Sequence, residues 1–120
     1  MNKNLLDAYF AGLIDGEGTV GIYKFSSGAI RPIVKVNMTC EKTIIALHQH
    51  FGGYMGVQKI ESIPNRKPQW HWEVTFKKAV EVCKSIRPYL ITKASNADLI
   101  LAHKPRSVGR QKGYRVTNTS

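Results

Sequence analysis

Apolar and polar positions along this chain alternate between two periods, one close to 3.6 and one close to 2. Leu6, Tyr9, Leu13 and Ile14 recur three to five residues apart and predict a helix near the start. Residues 19–25 are rich in β-forming side chains, and Ser26, Ser27 and Gly28 read as a turn. Strict alternation follows over residues 33–39, with Val34, Val36 and Met38 on one face and Lys35, Asn37 and Thr39 on the other. Helical spacing returns at Ile44, Ile45, Leu47 and Phe51 and stops at Gly52 and Gly53. A second hairpin is predicted over residues 54–61, a loop through Pro64, Asn65, Arg66, Lys67 and Pro68, and residues 70–76. Ala79, Val80, Val82, Cys83 and Ile86 predict a third helix that ends near Pro88, and a last helix runs from about Lys93 to His103. The order α-ββ-α-ββ-α-α predicts an α+β domain. Its single four-stranded antiparallel sheet has one face on helices and the other polar and basic.

Within the first helix, Ala8, Gly12 and Gly16 recur every four residues and line one stripe. Such a stripe lets a second helix approach closely. Gly16 and Gly18 predict the helix end and place Glu17 where the chain leaves that contact. Two copies meeting along the stripe would bring two Glu17 carboxylates together, a repulsion that a cation between them would relieve. The segment therefore reads as an interface element that also delivers a metal ligand.

Residues 10–18, Phe-Ala-Gly-Leu-Ile-Asp-Gly-Glu-Gly, resemble the LAGLIDADG motif of homing endonucleases. Phe10 replaces the leading leucine, and Gly16 and Glu17 keep a small residue followed by a carboxylate. The absence of an internal repeat makes the resemblance one to the single-motif type, covering roughly residues 5–103. It implies that fold, with the polar sheet face forming a saddle over duplex DNA. It also implies a homodimer that cuts both strands of a pseudo-palindromic site with Mg²⁺ or another divalent cation such as Mn²⁺. By the same resemblance, Glu17 and the Gly16 carbonyl hold the metal, and Ala8, Ala11, Gly12 and Asp15 lie at the dimer interface. Asp15 is expected to cap or bridge backbone at the helix crossing. Lys93, after Pro88, Tyr89 and Leu90, matches the family's active-site lysine, which can steady charge on the phosphorane. Cys40 stands where the family often carries a water-ordering glutamine. It favours the alternative reading, a catalytically inactive nucleic-acid-binding protein on the same scaffold, either a maturase that binds RNA or a regulator.

A chain of 120 residues suits one domain, expected over residues 1–104. The net charge of +10 points to a polyanionic partner. Residues 104–120 hold five basic side chains and no acidic one, so 105–120 are expected to form a flexible cationic tail that tracks phosphates. Arg31, Lys35 and Asn37 on the second strand are the expected DNA contacts, with Lys59 on the third and Gln69 and His71 on the fourth. Tyr23 and Phe25 fit either the DNA face or a satellite core. Cys40 and Cys83 lack paired spacing and read as free thiols, and His48 and His50 cannot share a helix face. The first apolar run, broken by Asp7, is too short to span a bilayer, and the chain is expected to be intracellular.

Overall fold

A computed structural model describes residues 2–59 and 67–102. Residues 60–66, which hold the expected end of the third strand at Glu61 and the Pro64–Arg66 part of the predicted loop, lie outside the described residues, as do His103 and the tail 105–120. The chain runs through α1 (Lys3–Glu17), β1 (Gly18–Lys24), β2 (Ile30–Met38), α2 (Glu41–Phe51), β3 (Tyr54–Gln58) and β4 (Gln69–Thr75). The described residues then continue through α3 (Phe76–Ile86), a 3₁₀ turn (Arg87–Tyr89) and α4 (Ala94–Ala102). The expected α+β order is the observed one.

The sheet is antiparallel throughout, in the order β1-β2-β4-β3. Each predicted hairpin supplies one edge strand and one central strand. Pro32 is tolerated in central β2 because β4 pairing ends at Ile33↔Thr75, so that Pro32 faces only β1, opposite Ile22. Val34, Val36, Trp72 and Val74 form the inner face and are almost wholly buried against α1, α2 and α3. Trp72 Nε1 donates to the Gly52 carbonyl at 2.7 Å, which satisfies the indole and pins the end of α2 to β4.

Asn2 caps α1 by accepting from the Leu5 N–H at 2.9 Å, and the Gly18 N–H closes its far end on the Ile14 carbonyl. The helix stops where the glycines predict, for a different reason. Gly18 is extended (φ −96°), and a Cβ there would meet the Ile14 and Lys35 carbonyl oxygens at 3.0 Å. Close passage of α1 over β2, rather than a left-handed cap, requires glycine at that position.

Asp7, which interrupts the apolar run, is the buried charged residue among those described. Its carboxylate accepts from Lys3 Nζ at 2.7 Å, and His50 Nε2 lies 2.8 Å from its other oxygen. His50 thus serves α1–α2 packing, with its ring 4.6 Å from Phe51 and 5.5 Å from Phe10. Burial pushes the Asp7 carboxyl up, but hydrogen bonds and charge from Lys3 and His50 outweigh it and hold it below its ordinary 3.8. Such a group binds fewer protons folded than unfolded. Its stabilisation is therefore present above the ordinary value and disappears as pH falls through the folded one. Asp7→Asn is expected to lower stability by about 1–3 kcal/mol near neutral pH. The gap from wild type should narrow as pH falls below the ordinary 3.8 and through the folded value, as the wild-type carboxyl itself protonates. Urea midpoints at neutral and acid pH measure this, and a constant gap would contradict it.

Candidate functional site

Helix α1 divides its sides cleanly. Phe10, Ala11 and Ile14 enter the chain's own core, whereas Leu5, Tyr9, Gly12 and Gly16 stay exposed. A Cβ built on Gly12 or Gly16 meets nothing within 4 Å, so this side is free for a partner. Ala8 is half-buried at its margin. Ala11 does not belong to the expected interface. It is 0% exposed within one chain, because it sits one residue round the helix from Gly12 and turns inward.

At the end of α1, one carboxylate organises the site. Asp15 Oδ1 accepts from the Lys93 N–H at 2.7 Å, and Oδ2 accepts from the Ile91 and Thr92 N–H groups at 3.1 and 3.0 Å. The backbone donors of Lys93 and Thr92, then Ile91, hold its carboxyl below the ordinary 3.8. Lys93 Nζ donates to the Asp15 backbone carbonyl at 2.6 Å, placing the ammonium at the negative end of the α1 dipole. Asp15 therefore bridges backbone as expected, within its own chain and not across a helix crossing. The same bonds bring Lys93 to the turn that carries Gly16 and Glu17. Glu17 is exposed and has no ion pair or hydrogen bond through its side chain among the described residues. Gly16 is in the last helical turn, where carbonyls run out of downstream N–H donors.

The ladder starts at Gly18↔Val36, one residue after Glu17. Asn37 therefore lies at the Glu17 end of the sheet, and the segment Thr39, Cys40, Glu41 leaves it there. Across the outer face, Thr19, Lys35, Glu73 and Tyr54 form one row, and Asn37, His71 and Gly56 the next. A Cβ on Gly56 would fall 2.8 Å from His71 Nε2 and from the Tyr54 hydroxyl, so only glycine lets those side chains lie over it. Arg31 faces Tyr23 farther out, and Gln69 faces Gln58. The outer face thus collects Arg31, Lys35, Asn37, Gln69 and His71. Lys59 is the exception. It follows the last paired residue of β3 and has the parity of inward Met55 and Val57, which leaves the outer position to Gln58. Tyr23 belongs to the outer face, with Lys35 Nζ 5.9 Å from its ring centre.

No family model and no curated protein sequence matches the chain. Solved structures do. The homing endonuclease I-CvuI, in complex with the I-CreI target, aligns with a TM-score of 0.67 at 20% identity over 82% of this chain and 65% of its own. The archaeal intron-encoded homing endonuclease I-Vdi141I, complexed with DNA, gives 0.63 at 17% identity over 82% and 66%. The group I intron-encoded homing endonuclease I-CeuI, also complexed with DNA, gives 0.61 at 16% identity over 82% and 53%. The chain has the LAGLIDADG homing endonuclease fold.

On this fold, Cys40 is the exposed N-cap of α2, and its sulfur accepts from the Thr43 hydroxyl at 3.2 Å. That bond, with backbone N–H groups at the helix start, holds the thiol below its ordinary 9.0. Cys83 is a core residue whose thiol burial pushes up to about 12. Among the described residues, no three His, Cys, Asp or Glu side chains converge as a metal cluster. No described helix is long and apolar enough to cross a membrane. Sequence reasoning missed the Asp7–His50 pair, read there as a mere interruption, and it missed Gln58 and Phe76 on the outer face. Period-2 counting from β4 through the hairpin would have found Gln58.

Asp15→Asn replaces one acceptor oxygen by an NH₂ that confronts backbone donors. Amide hydrogen exchange at Ile91, Thr92 and Lys93 is expected to accelerate on the order of tenfold, with the β2 and β4 amides unaffected. Unchanged protection at those three amides would refute the clamp.

Proposed function

We propose that this chain is a homodimeric, metal-dependent endonuclease that cuts double-stranded DNA at a pseudo-palindromic site. The observation that carries the reading is the Lys93 ammonium bonded to the Asp15 carbonyl, two residues before an exposed Glu17 with no side-chain partner among the described residues. A carboxylate and an adjacent backbone carbonyl are hard oxygen donors, and Mg²⁺ commonly takes one or two carboxylates together with waters and phosphate oxygens. The donor set fits that ion. Glu17 and the Gly16 carbonyl would hold it. When bound, it supplies Lewis-acid polarisation of the scissile phosphate and stabilises the leaving oxygen.

The chain's own residues supply the rest. Lys93 uses one of its three N–H donors on Asp15 and keeps two for a phosphate oxygen or an attacking water. Asp15 fixes where that ammonium stands. The uncovered side of α1 seats a second copy through Ala8, Gly12 and Gly16, and two-fold symmetry supplies one Glu17 for each strand. The outer sheet face contributes Arg31 and Lys35 for phosphates and guanine, and Asn37 for adenine. The DNA-bound state of the structures sharing this fold supports that assignment. Cys40 favours a second reading, a DNA- or RNA-binding protein that does not cut, because a thiol orders water poorly beside the Glu17 end of the sheet.

Glu17→Gln is expected to abolish Mg²⁺-dependent cleavage while preserving DNA affinity, since an amide is a poor anionic ligand. Nicking assays on a library-selected site, run beside gel shifts, measure both. Wild-type cutting by the variant would remove Glu17 from the metal site, and a wild type that binds without nicking would establish the second reading. Gly12→Leu tests the assembly. Open space around Gly12 leaves the monomer fold intact, so the variant should sediment as a folded monomer where wild type is a dimer. A Gly12→Leu dimer would place the interface elsewhere.

A further inference from the structure

At the end of the outer face away from Glu17, Arg31 is held between two aromatic rings. Its guanidinium carbon lies 4.6 Å from the Phe25 ring centre and 5.5 Å from that of Phe76, both within the ~6 Å reach of a cation–π contact. Nε of Arg31 is buried and has no hydrogen-bond partner among the described residues, where a buried N–H is ordinarily paired. No described carboxylate forms an ion pair with this side chain. Phe76 has φ +52°, a left-handed conformation that bulky side chains rarely adopt. It is the first residue of α3, directly after the last residue of β4, and it is 51% exposed. The strained residue thus turns strand into helix while holding a large apolar ring out of the core. Such strain persists only where the surroundings over-determine it, and it concentrates at ligand clamps.

We propose that Phe25 and Phe76 clamp Arg31 as a rigid reader of one guanine in each half-site. The proposal rests on the DNA-binding reading above and goes beyond it in assigning Arg31 to a base edge rather than a phosphate, in placing that base within the half-site, and in naming the device. With Nε covered, the terminal nitrogens are the donors that remain, and they match O6 and N7 of guanine in the major groove. A phosphate accepts a mobile cation at many angles, so a clamp gains little there. A base edge demands one plane and one direction, and a clamped fork meets that demand with little loss of side-chain freedom. From Asn37, beside the Glu17 end, β2 extends back to Arg31 over about 20 Å at ~3.3 Å per residue. A strand lying along the groove therefore sets the guanine roughly six base pairs outward from the pair facing Asn37, at ~3.4 Å per step.

The test is binding selection from DNA duplexes randomised across the footprint, using the full chain as wild type, Arg31→Lys, Phe25→Leu and Phe76→Asn. Lysine keeps the charge and loses the fork, and asparagine accepts the left-handed backbone while removing the ring. Wild type should enrich one guanine at that outer position in each half-site. Arg31→Lys should lose the preference by about tenfold or more, with other positions and the salt slope of binding unchanged. Each ring variant should weaken the same position alone. A uniform loss of affinity with a flatter salt slope would make Arg31 a phosphate contact and overturn the proposal. So would a wild-type site whose base preferences all survive in Arg31→Lys. Enrichment of no sequence by wild type would instead overturn the DNA-binding reading, and the clamp with it.

Discussion

Three backbone N–H groups meeting on the Asp15 carboxylate tie the beginning of the domain to its end. Asp15 and its donors lie 76 to 78 residues apart in sequence, so the contact closes nearly the whole described fold around the sheet. A carboxylate offers lone pairs to several donors at once, which a single carbonyl or hydroxyl cannot match. It satisfies the N–H groups that precede α4 and would otherwise lack partners. The returning bond from Lys93 to the Asp15 carbonyl makes the junction two-way, so α1 cannot shift along its axis without carrying Lys93. The placement of Lys93 beside the end of α1 is thereby fixed through two side chains, the Asp15 carboxylate and the Lys93 ammonium, each bonded to the other segment's backbone.

That constraint explains why one short helix can meet several demands. Its inner side is fixed by Phe10, Ala11 and Ile14 in the core and by the Asp7–His50 bond to α2. Its end is fixed by Asp15. With position and rotation both determined from inside, the outer side needs no intrachain partner, and Gly12 and Gly16 can stand open. Glycines in a helix interior cost stability on the order of 1 kcal/mol each relative to alanine. Two of them on an uncovered side make sense where another surface must come close.

The fold was legible because its signals are periodic. The alternation at Val34, Val36 and Met38 and the helical spacing at Ile44, Leu47 and Phe51 each report a buried side directly. The motif made Glu17 and Lys93 legible as candidates, and their approach through Asp15 follows from the fold. What stayed hidden depends on partners distant in sequence. Asp7 reads as an interruption until His50 appears opposite it. Ala11 looks like one more small residue on the stripe until the core claims its side of the helix. Lys59 carries the charge expected of the outer face but falls past the end of β3, where strand parity no longer favours it. Phe76 reads as the last residue of the fourth strand, whereas it opens α3, and its positive φ follows from joining β4 to α3 with no intervening loop.

The placement of charge along the outer face also follows from the proposed chemistry. A carboxylate paired bidentately with a neighbouring arginine has fewer lone pairs and less negative charge to offer a divalent cation. The row nearest the Glu17 end, Asn37 and His71 over Gly56, offers hydrogen-bonding groups without a guanidinium. Lys93, the cation brought to that end, is held on a backbone carbonyl and so is not drawn into a salt bridge with Glu17. Lys35 stands one row farther out, opposite Glu73, and Arg31 farther still, between its two rings. Moving arginine inward would strengthen phosphate attraction at that end and compete for the Glu17 oxygens that the proposed metal would use. Keeping it outward leaves Glu17 without a partner among the described residues and puts the group proposed to read guanine away from the proposed metal ligand.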